Sequence, residues 1–251
     1  LLDANLTSRI ARAAGPLTGR VVIEVGPGPG GLTRALLASD VARVIAVEID
    51  ARAVTALAEL AAAFPGRLEV VTGDARDIDL ARLAPAGAQL QVVANLPYNV
   101  ATPLLVGWLR QAGRFERLTL MFQQEVAERI CAAPDTPAYG RLAVLAQYVC
   151  DVALVLRLPP AAFTPPPKVW SAVVSFTPHA LQPRAALFAA MERTTAAAFG
   201  QRRKMLRTAM KPLGGEALLR AADIAPERRG ETLSVAEFAR LAAITFGAGP
   251  Q

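Results

Sequence analysis

Short apolar runs recur through the first half of the chain at the spacing of buried strands. Val21 to Val25, Val44 to Glu48, Leu68 to Thr72, Leu90 to Ala94 and Leu118 to Phe122 each hold about five mainly apolar residues. Runs of that length bounded by turn residues predict strands. Between them the pattern changes to a helical period. Residues 1–14 place Leu2, Leu6, Ile10, Ala13 and Ala14 on one face and stop at Gly15-Pro16. Leu32 to Ala38, the alanine-rich stretch 51–63 and residues 101–112 also predict helices, with Asp50 as the N-cap of the second. Strands alternating with helices predict a parallel α/β sheet. In such sheets ligands bind beyond the carboxyl ends of the strands. Glu24, Gly26, Glu48, Asp74 and Asn95 all fall at or just past those ends.

The second half reads differently. Helices over 123–132 and 140–150 lead to a strand at Val152 to Leu158. A proline-rich connector containing Phe163-Thr164-Pro165-Pro166-Pro167 follows, extended and stiff. Ala172 to Phe176 predicts a last strand. Beyond Pro178 the pattern is helical throughout, over about 185–198, 202–211, 216–222 and 234–245. Ser234 with Glu237 matches a capping box. Two domains are expected, 1–178 with the sheet and a small all-helical one over 179–251.

Composition excludes several classes. Hydrophobic residues make up 53% of the 251, ample for a core. No uninterrupted apolar run reaches about 18 residues, so no membrane span is expected. Asp3, Asn5, Arg9 and Arg12 interrupt any apolar leader core. Cys131 and Cys150 have no metal-like spacing and His179 is the single histidine, so neither a metal site nor histidine acid–base chemistry is expected. Free cysteines of this kind fit a reducing cytoplasm. Net charge is +6, and from Pro178 onward there are 11 Lys/Arg against 6 Asp/Glu. A basic appendage fits a polyanionic partner. An arginine-rich genome would give the same excess. In Gln201-Arg202-Arg203-Lys204…Arg207, phosphate contact and a solvated helix face are both open.

The turn Gly26-Pro27-Gly28-Pro29-Gly30-Gly31 lets main chain approach a ligand without an intervening Cβ. It also aims the next helix's N-terminus there. It fits a dinucleotide through Gly26, Gly28 and Gly31. With Glu24 in front it equally fits the E-x-G-x-G-x-G pattern of enzymes using S-adenosylmethionine (SAM). Glu48 is placed for ribose hydroxyls in either case, and Asp74 suits an adenine amine. Asn95-Leu96-Pro97-Tyr98 decides for methyl transfer. An exocyclic adenine nitrogen attacks a methyl group only if it pyramidalises, and acceptors on its N–H groups favour that. The Asn95 side-chain oxygen and the Leu96 carbonyl supply them, Pro97 stiffens the turn, and Tyr98 can stack on the base. Catalysis then rests on orientation and placed dipoles, on a base extruded from its stack. Phe163 is either the opposite wall of that slot or a linker residue packed on the core.

These segments occur in a familiar order. Glu24 to Gly30, Glu48, Gly73-Asp74-Ala75, Asn95 to Asn99 and Phe163-x-Pro-x-Pro-x-Val-x-Ser171 resemble the rRNA adenine N6,N6-dimethyltransferases. Gln123-x-Glu125-Val, Tyr139-Gly-Arg-Leu142 and Phe199-x-Gln-Arg-Arg-Lys204 resemble the bacterial KsgA type, which acts on small-subunit rRNA. The similarity runs from Leu1 to about Ala243. It implies a Rossmann-like SAM-dependent methyltransferase sheet with a small C-terminal helical domain. It implies a monomer that dimethylates two adjacent adenosines near the 3′ end of 16S rRNA in the small ribosomal subunit. Leu1, Gly26, Gly28, Glu48, Asp74 and Asn95 would then contact SAM, and Asn95, Leu96, Pro97, Tyr98 and Phe163 would form the catalytic site. Arg202, Arg203, Lys204 and Arg207 would contact RNA. The family opens this region with Gly-Gln-Asn-Phe-Leu-x-Asp, and the chain begins at the matching Leu1-Leu2-Asp3. The alternatives are a 23S rRNA methyltransferase of the macrolide-resistance type, an NAD-dependent oxidoreductase and a ribosome assembly factor.

Overall fold

A seven-stranded sheet, in the order β3-β2-β1-β4-β5-β7-β6, organises the first part of the chain. The structure is a computed structural model and describes residues 4–247. The strands are β1 (Val21–Val25), β2 (Arg43–Glu48), β3 (Leu68–Thr72), β4 (Leu90–Asn95), β5 (Arg117–Gln123), β6 (Cys150–Leu158) and β7 (Ser171–Pro178). β1, β2, β4 and β5 are buried along nearly their whole length, as strands covered on both faces must be. β1 pairs in parallel with β2 on one side and with β4 on the other. The chain therefore reverses its direction of winding at β1, which opens a crevice at the carboxyl ends of β1 and β4.

The first five strands pair in parallel as expected, and the last strand, for which no direction was expected, runs antiparallel to β5, so the sheet is mixed. β6 and β7 are neighbours in the sheet, and a parallel pairing of consecutive strands takes a crossover, usually helical. The segment between β6 and β7 holds only a single 3-10 turn at Pro160–Ala162. On β6 exposed residues alternate with less exposed ones, the pattern of a strand solvated on one face.

Helices α1 (Ala4–Ala13), α2 (Gly31–Leu37) and α3 (Ala51–Ala63) pack within this part. Leu6 and Ile10 of α1 join Leu32 and Leu36 of α2 and Leu57 and Leu60 of α3 in one core. Asp50 caps α3, accepting from the Arg52 N–H at 2.9 Å. Helix α4 (Tyr98–Leu109) begins three residues earlier than expected. The Pro97 carbonyl accepts from the N–H groups of Val100 and Ala101. A proline there costs nothing in lost donors, since the first helical N–H groups have no partner anyway.

The chain forms two compact units. One takes the residues up to Trp108 with Gly113–Ala127 and Ala153–Pro178. The other takes Leu109–Ala112, Glu128–Val152 and the chain from His179 on. The helical unit thus also includes α6 (Arg141–Val149), N-terminal to the expected cut at 178. Helix α5 (Gln124–Ile130) precedes it, and α7 (Ala185–Gly200), α8 (Leu206–Ala209), α9 (Gly215–Ala221) and α10 (Val235–Gly247) complete the order. In that unit Phe199 packs against Tyr139 and Phe238, with ring centroids 6.0 and 5.5 Å away. The buried Tyr139 hydroxyl donates to the Leu233 carbonyl at 2.9 Å. The capping box forms as expected: the Ser234 N–H donates to Glu237 at 2.8 Å, and the Glu237 N–H to the Ser234 hydroxyl at 3.2 Å. Burial works against charge on Glu237, but Arg228 and Ser234 outweigh it and hold its carboxyl at about 2.

A single helix over 202–211 is not observed. Residues 201–204 form a turn, α8 spans four residues, and a 3-10 turn follows at Lys211–Leu213. The N–H groups of Leu206 and Arg207 donate to the carbonyls of Arg228 and Pro226 instead of to an upstream helical turn. Tertiary partners have taken over the start of the helix.

Candidate active site

The glycine turn follows β1 directly. Gly26, Gly28 and Gly30 have φ of 69°, 55° and 86°, a region that residues bearing a Cβ avoid. The turn is tied to the next strand by Glu48. One carboxylate oxygen of Glu48 accepts from the Gly28 N–H at 3.0 Å, and the other from the N–H groups of Ile49 and Asp50 at 2.8 and 2.9 Å. Main-chain bonds prolong the ladder past the strand ends, from Gly26 N–H to Val47 O and from Gly73 N–H to Glu48 O. The ends of β1, β2 and β3 are therefore held level, and β4 ends beside them at Asn95.

These ends enclose a cleft of about 440 Å³. Gly26, Gly28, Glu48, Asp74, Asn95, Leu96 and Pro97 all line it, as do Ile49, Arg76 and Asn99. A Cβ at Gly26 would stand between the turn and β4, 3.8 Å from the Asn95 main-chain oxygen. Asp74 is engaged by Arg76, whose Nε lies 3.0 and 2.9 Å from the two carboxylate oxygens and whose main-chain N–H donates at 2.9 Å. Hydrogen bonds from Arg76 hold the Asp74 carboxyl at about 2, so it is an anion at neutral pH.

Glu24 behaves in the opposite way. It is buried beneath the turn, facing Thr33 of α2. Burial raises its carboxyl to about 8, Thr33 pulls it down, and the nearby Glu48 pushes it further up. Its Oε2 and the Thr33 hydroxyl oxygen both lack a hydrogen bond of good geometry.

Two other predicted residues lie elsewhere, and a third is not among the described ones. Tyr98 opens α4 and is not part of the cleft lining; its hydroxyl lies 2.7 Å from the Ser171 hydroxyl. Phe163 is partly buried against the core around α1 and α2. Leu1 lies outside the described residues. In the helical unit, Arg202 donates to Glu231 at 3.2 Å and to the Pro137 carbonyl at 2.6 Å, a structural role. Arg203, Lys204 and Arg207 are exposed, but they sit on a turn and a separate short helix, not on one helical face.

Ile49, Arg76 and Asn99 were missed. Each is a neighbour, by one or two residues, of a predicted residue: Ile49 of Glu48, Arg76 of Asp74, Asn99 of Tyr98. The sequence offered for Ile49 only its place next to Glu48; its 65% exposure at the cleft is visible in the structure alone.

Among the described residues no cluster of three His, Cys, Asp or Glu is placed to hold a metal, and no helix is long and apolar enough to cross a membrane. The sheet order and the cleft at its reversal define a Rossmann-like methyltransferase. The profile of the ribosomal RNA adenine dimethylase family matches residues 1–245, and the chain belongs to that family. It is 64% identical over 246 residues to ribosomal RNA small subunit methyltransferase A of Gluconobacter oxydans (strain 621H), covering 98% of this chain and 80% of that protein. It is 55% identical over 250 residues to the protein of the same name in Rhodospirillum rubrum, covering 99% and 86%. Among solved structures, a dimethyladenosine transferase from Plasmodium falciparum superposes with a TM-score of 0.81 at 25% identity, covering 96% of this chain and 95% of that one. The 23S rRNA methyltransferase ErmE gives 0.70 at 26% identity, covering 97% and 98%.

Proposed function

We propose that this chain dimethylates the N6 amino groups of two adjacent adenosines near the 3′ end of 16S rRNA, within the small ribosomal subunit in the cytoplasm, with SAM as donor. The observation that carries the reading is the meeting of Gly26 and Asn95 across the crevice where the sheet reverses. A cofactor turn and an amine-accepting turn are adjacent there.

The residues fit SAM. The glycine turn leaves open the space a Cβ would fill. Glu48 retains acceptor capacity after its three main-chain bonds, enough for a ribose hydroxyl. Asp74 is an anionic acceptor for an adenine amine, and Ile49 offers an exposed apolar side chain for the ring. When bound, SAM supplies an electrophilic methyl group on a sulfonium. The protein's own part is to orient. The Asn95 side-chain oxygen and the Leu96 carbonyl accept from the target amine and turn its lone pair toward the donor. Pro97 holds that turn rigid at the head of α4. Tyr98 and Phe163 supply aromatic surface for the base. No general base is required, because the amine proton becomes acidic as the nitrogen is methylated. Arg203, Lys204 and Arg207 supply positive charge for rRNA phosphates.

The relatives at 55–64% identity carry the small-subunit name, and identity to ErmE is 26%. That difference favours 16S over 23S rRNA. The test is transfer of tritiated methyl groups from SAM to undermethylated 30S particles, with naked 23S RNA alongside. Wild-type protein is expected to label 30S and not 23S, and Asn95→Ala to abolish labelling. Labelling that survives Asn95→Ala would overturn the mechanism.

A further inference from the structure

We propose that Ser171 is a positioning residue for the reaction, setting the Tyr98 ring against the target base. The proposal rests on the reading of Asn95 to Tyr98 as the methyl-acceptor turn. It starts from the 2.7 Å contact between the Tyr98 hydroxyl and Ser171 Oγ, made across 73 residues of sequence.

The two partners are unequal. Ser171 is completely buried. It opens β7, paired in register with Gln123 of β5. The preceding residue, Trp170, is fixed as well, since its carbonyl accepts from the Gln124 N–H at 2.9 Å. Ser171 therefore sits on a rigid strand end and has no freedom to follow a moving partner. Tyr98 is only half-buried, at the first position of α4. Anchoring the tyrosine hydroxyl to a fixed point settles χ1 and the place of the ring; the oxygen lies on the χ2 axis, so the ring's turn about that axis is limited only by the preference of a phenol O–H to lie in the ring plane. Tyr98 keeps part of its surface exposed, so its ring can meet the base while its hydroxyl end is pinned. Pro97 pins the main chain on the other side.

The bond has a second effect. Ser171 ends the connector that begins at Phe163, so the hydrogen bond joins the acceptor turn to the far end of that connector. Loss of it frees the ring without removing any apolar surface. The expected consequence is a fault in orientation, felt in turnover, and not a fault in cofactor binding, since neither residue lines the cofactor cleft.

The experiment is a double-mutant cycle with Ser171→Ala and Tyr98→Phe on 30S particles, reading kcat, KM and the SAM dissociation constant, with each variant's melting temperature. Ser171→Ala removes the anchor and leaves a half-exposed phenol that water can satisfy. Tyr98→Phe removes the same bond from the other side and keeps the ring, so it carries the test if Ser171→Ala does not fold. Each single variant is expected to lower kcat about fivefold, the equivalent of one hydrogen bond. SAM affinity should stay within about twofold, and the double variant should be no slower than the slower single one. Wild-type kcat in the variants, or effects that multiply in the double variant, overturns the proposal. Asn95→Ala serves as the separate control. Transfer surviving it overturns the acceptor-turn reading itself, whatever Ser171 does.

Discussion

Glu48→Gln is the sharpest perturbation the cleft allows, because it keeps the shape and removes one acceptor. In the wild type, one oxygen holds Gly28 and the other holds Ile49 and Asp50. Glutamine has a single carbonyl oxygen. Kept toward Ile49 and Asp50, it turns the amide NH2 onto the Gly28 N–H, donor against donor. Flipped, it loses two bonds to save one, so the first orientation is favoured. The losses are the Gly28 bond to a charged acceptor, about 2 kcal/mol, and in the bound state the acceptor proposed for the ribose hydroxyl, about 1 kcal/mol. Where the Gly28 loss appears depends on water. The Gly28 N–H lines the cleft, and in the free protein solvent can satisfy it. The bound cofactor excludes that water and leaves the donor stranded.

The affinity for SAM should therefore fall by roughly thirtyfold, with about 1 kcal/mol or less appearing in the free protein. For a chain of this length that corresponds to a melting shift of no more than about 4 °C. Titration calorimetry with SAM and thermal unfolding followed by circular dichroism read the two effects separately. A large drop in melting temperature with unchanged affinity would mean that Glu48 is a structural clamp and nothing more. Unchanged values for both would refute the hydrogen-bond argument altogether. An internal check exists: Glu48 helps push the Glu24 carboxyl up, so the variant should lower that pKa too.

Glu24 gives a prediction in pH. Folding raises its carboxyl from 4.5 to about 8, so the folded state keeps a proton that the unfolded chain releases. Stability must then fall as pH rises from about 4.5 to about 8, by at most roughly 4–5 kcal/mol, and level off above. Glu24→Gln, neutral throughout, should lose that slope; denaturant midpoints at pH 5, 7 and 9 that run parallel in the two proteins would refute the assignment. In the helical unit, Arg203→Ala with Arg207→Ala should weaken 30S binding and flatten its dependence on salt by about two phosphate contacts. Arg202→Ala should instead lower the stability of the protein, since that guanidinium holds Glu231 and the Pro137 carbonyl. Filter binding across a salt series, beside thermal melts, separates the two, and an unchanged salt slope in the double variant would sink the phosphate assignment.

The sequence was most informative where local chemistry alone decides the outcome. Five-residue apolar runs form β1, β2, β4 and β5 because a strand buried on both faces has few other solutions, and β3 pairs beside them at the edge of the sheet. Asp50 and the Ser234–Glu237 pair cap their helices because capping is an exchange among neighbours. It was least informative where distant segments compete for the main chain. The Arg202 to Lys211 stretch has helical spacing, yet residues 226 and 228 accept the hydrogen bonds that start α8. The reversal of β7 is of the same kind, since strand direction depends on what the connection can span and no residue in β7 itself encodes it.

The site divides along that line too. Gly26, Gly28, Glu48, Asp74 and Asn95 could be named in advance because each closes a strand, and a parallel sheet gathers its strand ends by construction. Tyr98 and Phe163 needed more than that. Their surroundings depend on β7, the strand whose direction the pattern left open, and on the core beneath the connector. Ser171 follows from the same cause. Ser171 closes the Phe163 motif in the sequence, but nothing there gave its partner; the antiparallel pairing with β5 places it at the Tyr98 hydroxyl. A parallel β7 would present its other end, Pro178, at that edge of the sheet, and the acceptor turn would lose its anchor. The antiparallel strand thus brings Ser171 to the Tyr98 hydroxyl, while the ends of the parallel strands supply the glycine turn, Glu48, Asp74 and Asn95 to the cleft.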